Sequence, residues 1–495
     1  MSGSSHAAAY LETGALPELP DRHFIAGEWT TPAAGGRMET FDAGFGRAFH
    51  SVAAGTAEDV DRAVMAAHAA QNGWGRTKAS ARGAALMRAA TLLREEAARF
   101  AFVEALDSGK PLQEAEGDVA GAARAFEYYA GAADKIEGET FPIGDDYLGY
   151  SRPEPVGVTA HIIPWNYPLS TAARGLAPAL AAGCTVVAKP AETTPLTMLM
   201  LADLLTRAGL PAGVVNVVTG TGPEAGAPLV GHPKVRHVTF TGSVPTGQGV
   251  MQAAARNVAS VVLELGGKSP LIVLTDADLD AAADGVVGAI YENAGQICSA
   301  GSRLIVERPV HDALLERVLA RVHALKMGHG LRRSTLGPLN SAPHRAGVAQ
   351  RVDEAIARGL PPLTGGSATV DPETGEGWFF EATIFDDVPA DDPLVTDEIF
   401  GPVLAVQIAD GADDAAALAN GTDYALVAGI YTADFGLAHR LARDIDAGQV
   451  FINEYFAGGI EVPFGGNRQS GFGREKGLAA VQNYLRIKSV AAKIG

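Results

Sequence analysis

Cys184 and Cys298 are the only cysteines in this 495-residue chain. Cys298 lies in GQICSAG, residues 295–301, where glycines and small side chains leave its sulfur open to close approach. A thiol attacks as its thiolate, which a nearby base, a helix N-terminus or a cation has to favour. Alone, such a cysteine is more often a small buried hydrophobe, and Cys184 in AAGCTVV, at the start of an apolar strand, fits that description. Four other segments change the balance for Cys298. Asn166 in PWNYP puts an amide donor on a loop after a strand, where it suits an oxyanion. Lys189 and Glu192 in VAKPAE stand three residues apart after a strand, spaced to hold two ribose hydroxyls. In FTGSVPTG, Gly242, Ser243 and Gly247 form a turn that brings a helix N-terminus to a pyrophosphate, although the full G-x-G-x-x-G pattern is absent. Glu264 in LELGGKSP ends a strand, and Gly266 and Gly267 beside it leave room for the carboxylate to swing.

The elements that must carry these residues can be read from hydrophobic periodicity. Residues 57–133 space apolar side chains at three and four, as amphipathic helices do, and residues 81–111 read as one helical run closed by Gly-Lys-Pro. Between 156 and 274 short β-rich runs alternate with helices, the pattern of βαβ units on a parallel sheet whose ligands sit at the strands' carboxyl ends. The loops after Pro164, Lys189, Gly220 and Thr241 are thereby expected around one cleft. A second alternating block follows Gly267, with a helix expected over residues 279–296, just before Cys298. Residues 145–153 read as a short strand or arm. The C-terminal YLRIKSVAA is a strand without an obvious partner, expected to pair with that arm or with another subunit.

In this order the segments resemble the non-acylating branch of the aldehyde dehydrogenase superfamily, from about residue 20 to the C-terminus. LELGGKSP and GQICSAGSR are the most specific matches, supported by EIFGPV at 398–403 and PFGGNRQSGFGREKG at 463–477. The resemblance implies an α/β fold in three parts: a Rossmann-type NAD-binding domain (1–133 and 155–265), an α/β catalytic domain (266–478), and a small β oligomerisation arm (134–154 and 479–495). It implies NAD-dependent oxidation of an aldehyde to the acid. Cys298 would form a thiohemiacetal and then a thioester, Asn166 would hold the oxyanion, and Glu264 would be the base for hydrolysis. NAD would be held by Ile162, Ile163, Pro164, Trp165, Lys189, Glu192, Gly222, Gly242, Ser243, Leu265, Glu398 and Phe400. Glu192 would repel a 2′-phosphate and so select NAD+ over NADP+. Glu475 matches a glutamate on a proton route to the thiol in some members, and a solvated charge at a helix start is the other reading. A catalytically silent binding protein of this fold would have lost Cys298, Glu264 or Asn166, and all three are present. A coenzyme A-dependent relative would lack Glu264 in that role.

Two positions depart from the pattern of members that oxidise neutral aldehydes. Arg174 stands where many have tryptophan, and Gly175 where they have lysine. Succinic semialdehyde dehydrogenases have arginine at the Arg174 position, a fork suited to a carboxylate, although Arg174 could equally pair with Glu461 or Glu475 inside the protein. Tyr167, Phe456 and Ile297 match tunnel-lining positions, and Gly458 replaces an aromatic ring found in some members. A carboxylate-bearing semialdehyde and an aromatic aldehyde both remain open as substrate.

Bulk properties narrow the setting. At this length two or more domains are expected, and 47% hydrophobic with 19% charged residues is the composition of a globular α/β protein. A net charge of −18 argues against nucleic acid as a partner. Two cysteines and no Cys/His cluster with zinc spacing fit a reducing compartment, so no metal is expected and the cytoplasm is. The N-terminal residues carry no recognisable export or mitochondrial signal, and no run of about 18 apolar residues predicts a membrane span. A homo-oligomer acting on a small-molecule aldehyde is the expected form.

Overall fold

The structure is a computed structural model that describes residues 3–495. Its largest sheet is built on five parallel strands, Val158–Ile162, Thr185–Lys189, Val215–Val217, Val235–Thr241 and Ser260–Glu264. Runs such as TVVAK are buried along their whole length, because helices cover both faces of a parallel sheet. His23–Ile25 and Gly471–Phe472 close its edges in antiparallel pairing. From Val158–Ile162 the chain adds strands in one direction through residues 185–189 to 215–217. It then returns to the other side of Val158–Ile162 with 235–241 and 260–264. The strand order therefore reverses between Val158–Ile162 and Val235–Thr241, and a crevice opens at the carboxyl ends of an open α/β sheet at such a point. Register aligns Lys189, Ile162, Phe240 and Leu263 in one row across the sheet, with Thr241 and Glu264 paired one step further on.

The second sheet is parallel throughout, in the order Thr383–Phe385, Val403–Ala409, Arg303–Glu307, Pro270–Val273, Val427–Tyr431, Gln449–Ile452. Only five residues separate the last strand of the first sheet from Pro270, so Glu264 lies at the junction of the two sheets. The strand Gly471–Phe472, which pairs beside Glu264, comes from far along the chain and ties the C-terminal region to the first sheet.

In the third sheet Leu485–Lys493 pairs antiparallel with Tyr147–Pro155 along its whole length, and Thr140–Phe141 lies on the other side. Of the two partners open to the C-terminal strand, the arm of the same chain takes it. The helical run expected over 81–111 is broken at Glu96 into Ala79–Glu95 and Ala97–Ser108. The helix before Cys298 is also shorter than expected and ends at Tyr291. Asn293, Ala294 and Gly295 have φ of +46°, +53° and +74°, so the chain turns sharply instead of continuing helical. At Gly295 a side chain is excluded, since an added Cβ would lie 2.1 Å from the Gly401 carbonyl oxygen.

Candidate active site

Cys298 sits on the turn that follows this reversal, half-buried, and lines a cavity of about 250 Å³. Asn166, Tyr167, Ile297, Phe456 and Gly458 line the same cavity, so the residues expected around a substrate are brought together. The helix Pro168–Ala182 starts with a proline, whose fixed φ suits a first turn and whose missing N–H costs nothing there. Asn166 and Tyr167 immediately precede it, which places the amide at the mouth of a rigid element. Asn166 Nδ2 donates to the Gln296 carbonyl at 2.8 Å, and Asn293 Nδ2 donates back to the Asn166 carbonyl at 3.1 Å. Gln296 Oε1 in turn accepts from Asn340 N at 2.9 Å. These bonds fix the amide two residues from the thiol. Among the described residues the Cys298 N–H donates to no protein acceptor, which leaves it and the second Asn166 N–H available to an oxyanion. Burial pushes the Cys298 thiol up to about 12, against the pull of the Arg174 guanidinium.

Glu264 is 1% exposed, and neither carboxylate oxygen has a hydrogen-bond partner. Burial, and then the Glu475 carboxylate, raise its pKa well above the usual range. It does not line the Cys298 cavity, and its Oε1 lies towards Gly465. The neighbouring glycines answer to packing instead of leaving swing room. A Cβ on Gly266 would lie 2.3 Å from Glu398 Oε2, and one on Gly267 2.3 Å from the Cys298 carbonyl oxygen. Gly267 N also donates to Glu398 Oε1 at 2.9 Å. The glycine pair thus lets the thiol loop and Glu398 approach the same backbone.

Arg174 faces the cavity and pairs through Nε with Glu475 Oε2, while Glu461 is taken by Arg124. Burial works against the Arg174 charge, and Glu475, Cys298 and Glu264 together more than offset it, so its pKa is raised. Glu475 is therefore neither a solvated helix-start charge nor a cavity-lining group, but the buried partner of Arg174. Gly175 has a local reason: a Cβ there would lie 3.0 Å from Nδ1 of buried His161, leaving no room for a lysine stem.

The candidate cofactor residues gather at the carboxyl edge of the first sheet. Ile162 and Lys189 end adjacent strands, and Ile163 N donates to the Lys189 carbonyl at 3.0 Å. Lys189 Nζ donates to the Gly220 carbonyl at 2.9 Å and stands 3.6 Å from Glu192 Oε2. Gly222 N donates to Glu192 Oε1 at 2.7 Å, and the carboxylate stays 44% exposed. Ser243 precedes the helix Val244–Ala255 and its Oγ lies 2.9 Å from Thr246 Oγ1. A Cβ at Gly247 would strike Leu265 at 2.5 Å, and one at Gly242 would strike Phe240 at 2.6 Å, so helix, turn and strand are drawn tightly together. Pro164 leads into Trp165, whose ring packs against Phe400 at 5.3 Å and His344 at 5.2 Å. Phe400 has φ of +60°, a strained value for an aromatic residue that its position between Glu398 and this cluster imposes. A half-open carboxylate, a buried lysine, a helix N-terminus and a tight glycine turn at the strand-order reversal are a donor set that fits a dinucleotide.

Sequence reading passed over Lys268, Lys476, Asp118 and Glu292. Lys268 is 1% exposed with an unpartnered Nζ, and burial drives its pKa down to about 7. Lys476, Asp118 and Glu292 line the Cys298 cavity. Lys476 follows Glu475 in GREKG, and that adjacency was its only sequence signal. Asp118 and Glu292 lie on separate helical segments with no shared motif. Cys184 is buried and its Sγ donates to the Tyr484 carbonyl at 3.3 Å, a structural thiol remote from this cavity.

The sequence pattern of the aldehyde dehydrogenase family matches residues 29–490. Among solved structures, a Burkholderia cenocepacia protein assigned as an aldehyde dehydrogenase is 47% identical with a TM-score of 0.94, the match covering 96% of this chain and 100% of that one. Indole-3-acetaldehyde dehydrogenase AldA of P. syringae, a mutant in complex with NAD+ and IAA, is 40% identical with a TM-score of 0.96 and covers 99% of each chain. Betaine aldehyde dehydrogenase of Staphylococcus aureus, in complex with NAD+, is 35% identical with a TM-score of 0.95, covering 100% of this chain and 98% of that one.

Proposed function

The chain belongs to the aldehyde dehydrogenase family, and from that premise we propose how its residues carry out NAD-dependent oxidation of an aldehyde to a carboxylic acid. The observation that carries the proposal is the single cavity lined by both the Cys298 thiol and the Asn166 amide, beside the crevice at the strand-order reversal.

Cys298 gives up its proton to solvent, its thiolate Sγ bonds to the carbonyl carbon as the C=O π pair moves onto oxygen, and that anion accepts from Asn166 Nδ2 and the Cys298 N–H. Bound NAD+ supplies the hydride acceptor for oxidation of that carbon. The acyl group is then held on Cys298 as a thioester, and water must displace it. Glu264, turned from its Gly465 side towards the cavity, takes the proton from that water, a role suited to a carboxylate whose buried resting place raises its basicity. Arg174, held in place by Glu475, keeps its positive charge beside the thiol and opposes the effect of burial on it.

The residues for NAD+ are divided along the sheet edge. Lys189 and Glu192, with Gly222, would take the adenine ribose. Gly242, Ser243 and the helix N-terminus would take the pyrophosphate. Glu398 and Phe400 would take the nicotinamide ribose, and Ile162, Ile163, Pro164, Trp165 and Leu265 would form the walls. Glu192 is the basis for NAD+ over NADP+. Residues 1–133 and 155–265 form the NAD-binding part in this assignment, 266–478 the catalytic part, and 134–154 with 479–495 the oligomerisation arm.

No helix among the described residues is long and apolar enough to cross a membrane. A free thiol as nucleophile suits a reducing compartment, and we place the enzyme in the cytoplasm on that ground. The apolar residues exposed on the arm support a homo-oligomer, a dimer or tetramer. The test is NADH formation with a panel of aliphatic, aromatic and charged aldehydes. The wild type should turn over at least one class with higher kcat/KM on NAD+ than on NADP+, and Cys298→Ala should be inactive. Unchanged turnover by Cys298→Ala would sink the mechanism.

A further inference from the structure

The charges around the Cys298 cavity do not cancel. Its lining holds four acidic or basic side chains: Asp118, Glu292, Arg174 and Lys476. Three of them already have partners. Asp118 Oδ2 accepts from Lys110 Nζ at 2.5 Å, the Glu292 carboxyl accepts from the Tyr167 hydroxyl at 3.2 Å, and Arg174 is paired with Glu475. Burial also raises the pKa of both acids, which moves them towards their neutral forms. Among the described residues the Lys476 ammonium makes no ion pair and no hydrogen bond. Its Nζ lies over the Phe464 ring, 5.3 Å from the centroid, and the Arg174 guanidinium lies 5.2 Å from the same ring.

The backbone holds Lys476 in this place. On one side Glu475 and Phe464 exchange two N–H to carbonyl bonds of 2.7 Å, and on the other Gly477 N donates to the Ile460 carbonyl at 2.6 Å. Between these staples Lys476 itself has φ of +58°, a left-handed conformation that a lysine adopts only when its surroundings impose it. A largely buried ammonium without an anion is costly, and burial lowers the Lys476 pKa to about 8. An incoming anion would supply the missing partner.

We propose that Lys476 is a specificity residue: with Phe464 and the Arg174–Glu475 pair behind it, its ammonium receives a carboxylate at the distal end of the aldehyde substrate. This rests on Cys298 being the nucleophile, because it is the carbonyl held at Cys298 that turns the other end of a short chain towards Lys476. The substrate class is then a short aldehyde acid, with the aldehyde at the thiol and the carboxylate at the ammonium.

Three aldehydes built on a four-carbon chain that differ in distal charge test this. Succinic semialdehyde is anionic, butanal neutral and 4-trimethylaminobutanal cationic. In the wild type kcat/KM should favour succinic semialdehyde over butanal by about tenfold or more, the worth of one charge-assisted contact. The ratio of the two should fall about tenfold in Lys476→Met and Lys476→Gln and be largely kept by Lys476→Arg. A wild type that does not favour the anion, or that favours the cation, overturns the proposal, as does a ratio unchanged in either neutral variant. A second readout needs no turnover. Succinate should slow alkylation of Cys298 by iodoacetamide in the wild type, and butanol should not; equal protection, or none by either, overturns the subsite. Absence of NADH with every aldehyde would count against the Cys298 oxidation mechanism, and the alkylation result would then decide the subsite.

Discussion

The thiol of Cys298, with its pKa pushed up to about 12 by burial, is ionised to only about one part in 10⁵ at pH 7. Below that pKa the thiolate fraction grows tenfold per pH unit. Alkylation of the protein without cofactor should therefore keep accelerating from pH 7 to 10, and levelling near pH 8.5 would show an ordinary solvated thiol. Asn166→Ala removes one oxyanion donor and should lower kcat by about 10²- to 10³-fold, with Cys298 still alkylated at the wild-type rate. Glu264→Gln separates the two halves of the reaction. A first equivalent of NADH should still form rapidly while steady turnover slows on the order of 10²-fold; loss of the burst as well would make Glu264 the base for the thiol too. Each of these residues was visible in the sequence because its chemistry is rare or its motif long. Lys476 was not, because a lysine has meaning only once its neighbours are known to be otherwise paired.

Among the elements, the glycine pair before Pro270 makes the closest packing demand. Gly266→Ala would thrust a Cβ against Glu398 and disturb its bond to Gly267 N. The KM for NAD+ should rise about tenfold or more, whereas Cys298 alkylation, which does not use Glu398, should change little. A different strain lies in the helices behind Tyr167. Glu104, Glu114 and Asp118 crowd around Lys110, and burial raises the Glu114 pKa to about 8. A carboxyl whose folded pKa exceeds its unfolded value contributes stability below the unfolded pKa, and that contribution is lost as pH rises through about 8. Glu114→Gln keeps an acceptor for Asn293 N and cannot ionise, so it should be more stable than wild type at pH 9 by at least about 1 kcal/mol and differ little at pH 5. Thermal melts at the two pH values check this. The alternation of strands and helices was legible from the sequence. The early end of the helix at Tyr291 was not, because a contact with Gly401 more than a hundred residues away sets the turn.

Across the whole molecule, the arm is the surface least explained by a single chain. Ile143, Tyr147, Leu148 and Ile487 are 46%, 46%, 47% and 62% exposed on or beside a sheet that Leu485–Lys493 completes within the chain. The homo-oligomer proposed above would cover these side chains. Leu148→Asp combined with Ile487→Asp should lower the sedimentation mass towards that of one chain while leaving the secondary structure unchanged; an unaltered mass would free the arm of that role. The amino-acid sequence by itself determined the family, the parallel α/β class, the nucleophile candidate and the order of the segments around it, since periodicity and long motifs are local properties of a chain. Only the tertiary structure decided which charges pair. It took Arg174 for Glu475, closed the C-terminal strand on its own arm, withdrew Glu264 from the cavity and left Lys476 without an acid. The physical reason is that pairing and burial depend on distances between residues far apart in the chain, and those distances exist only once the chain has folded.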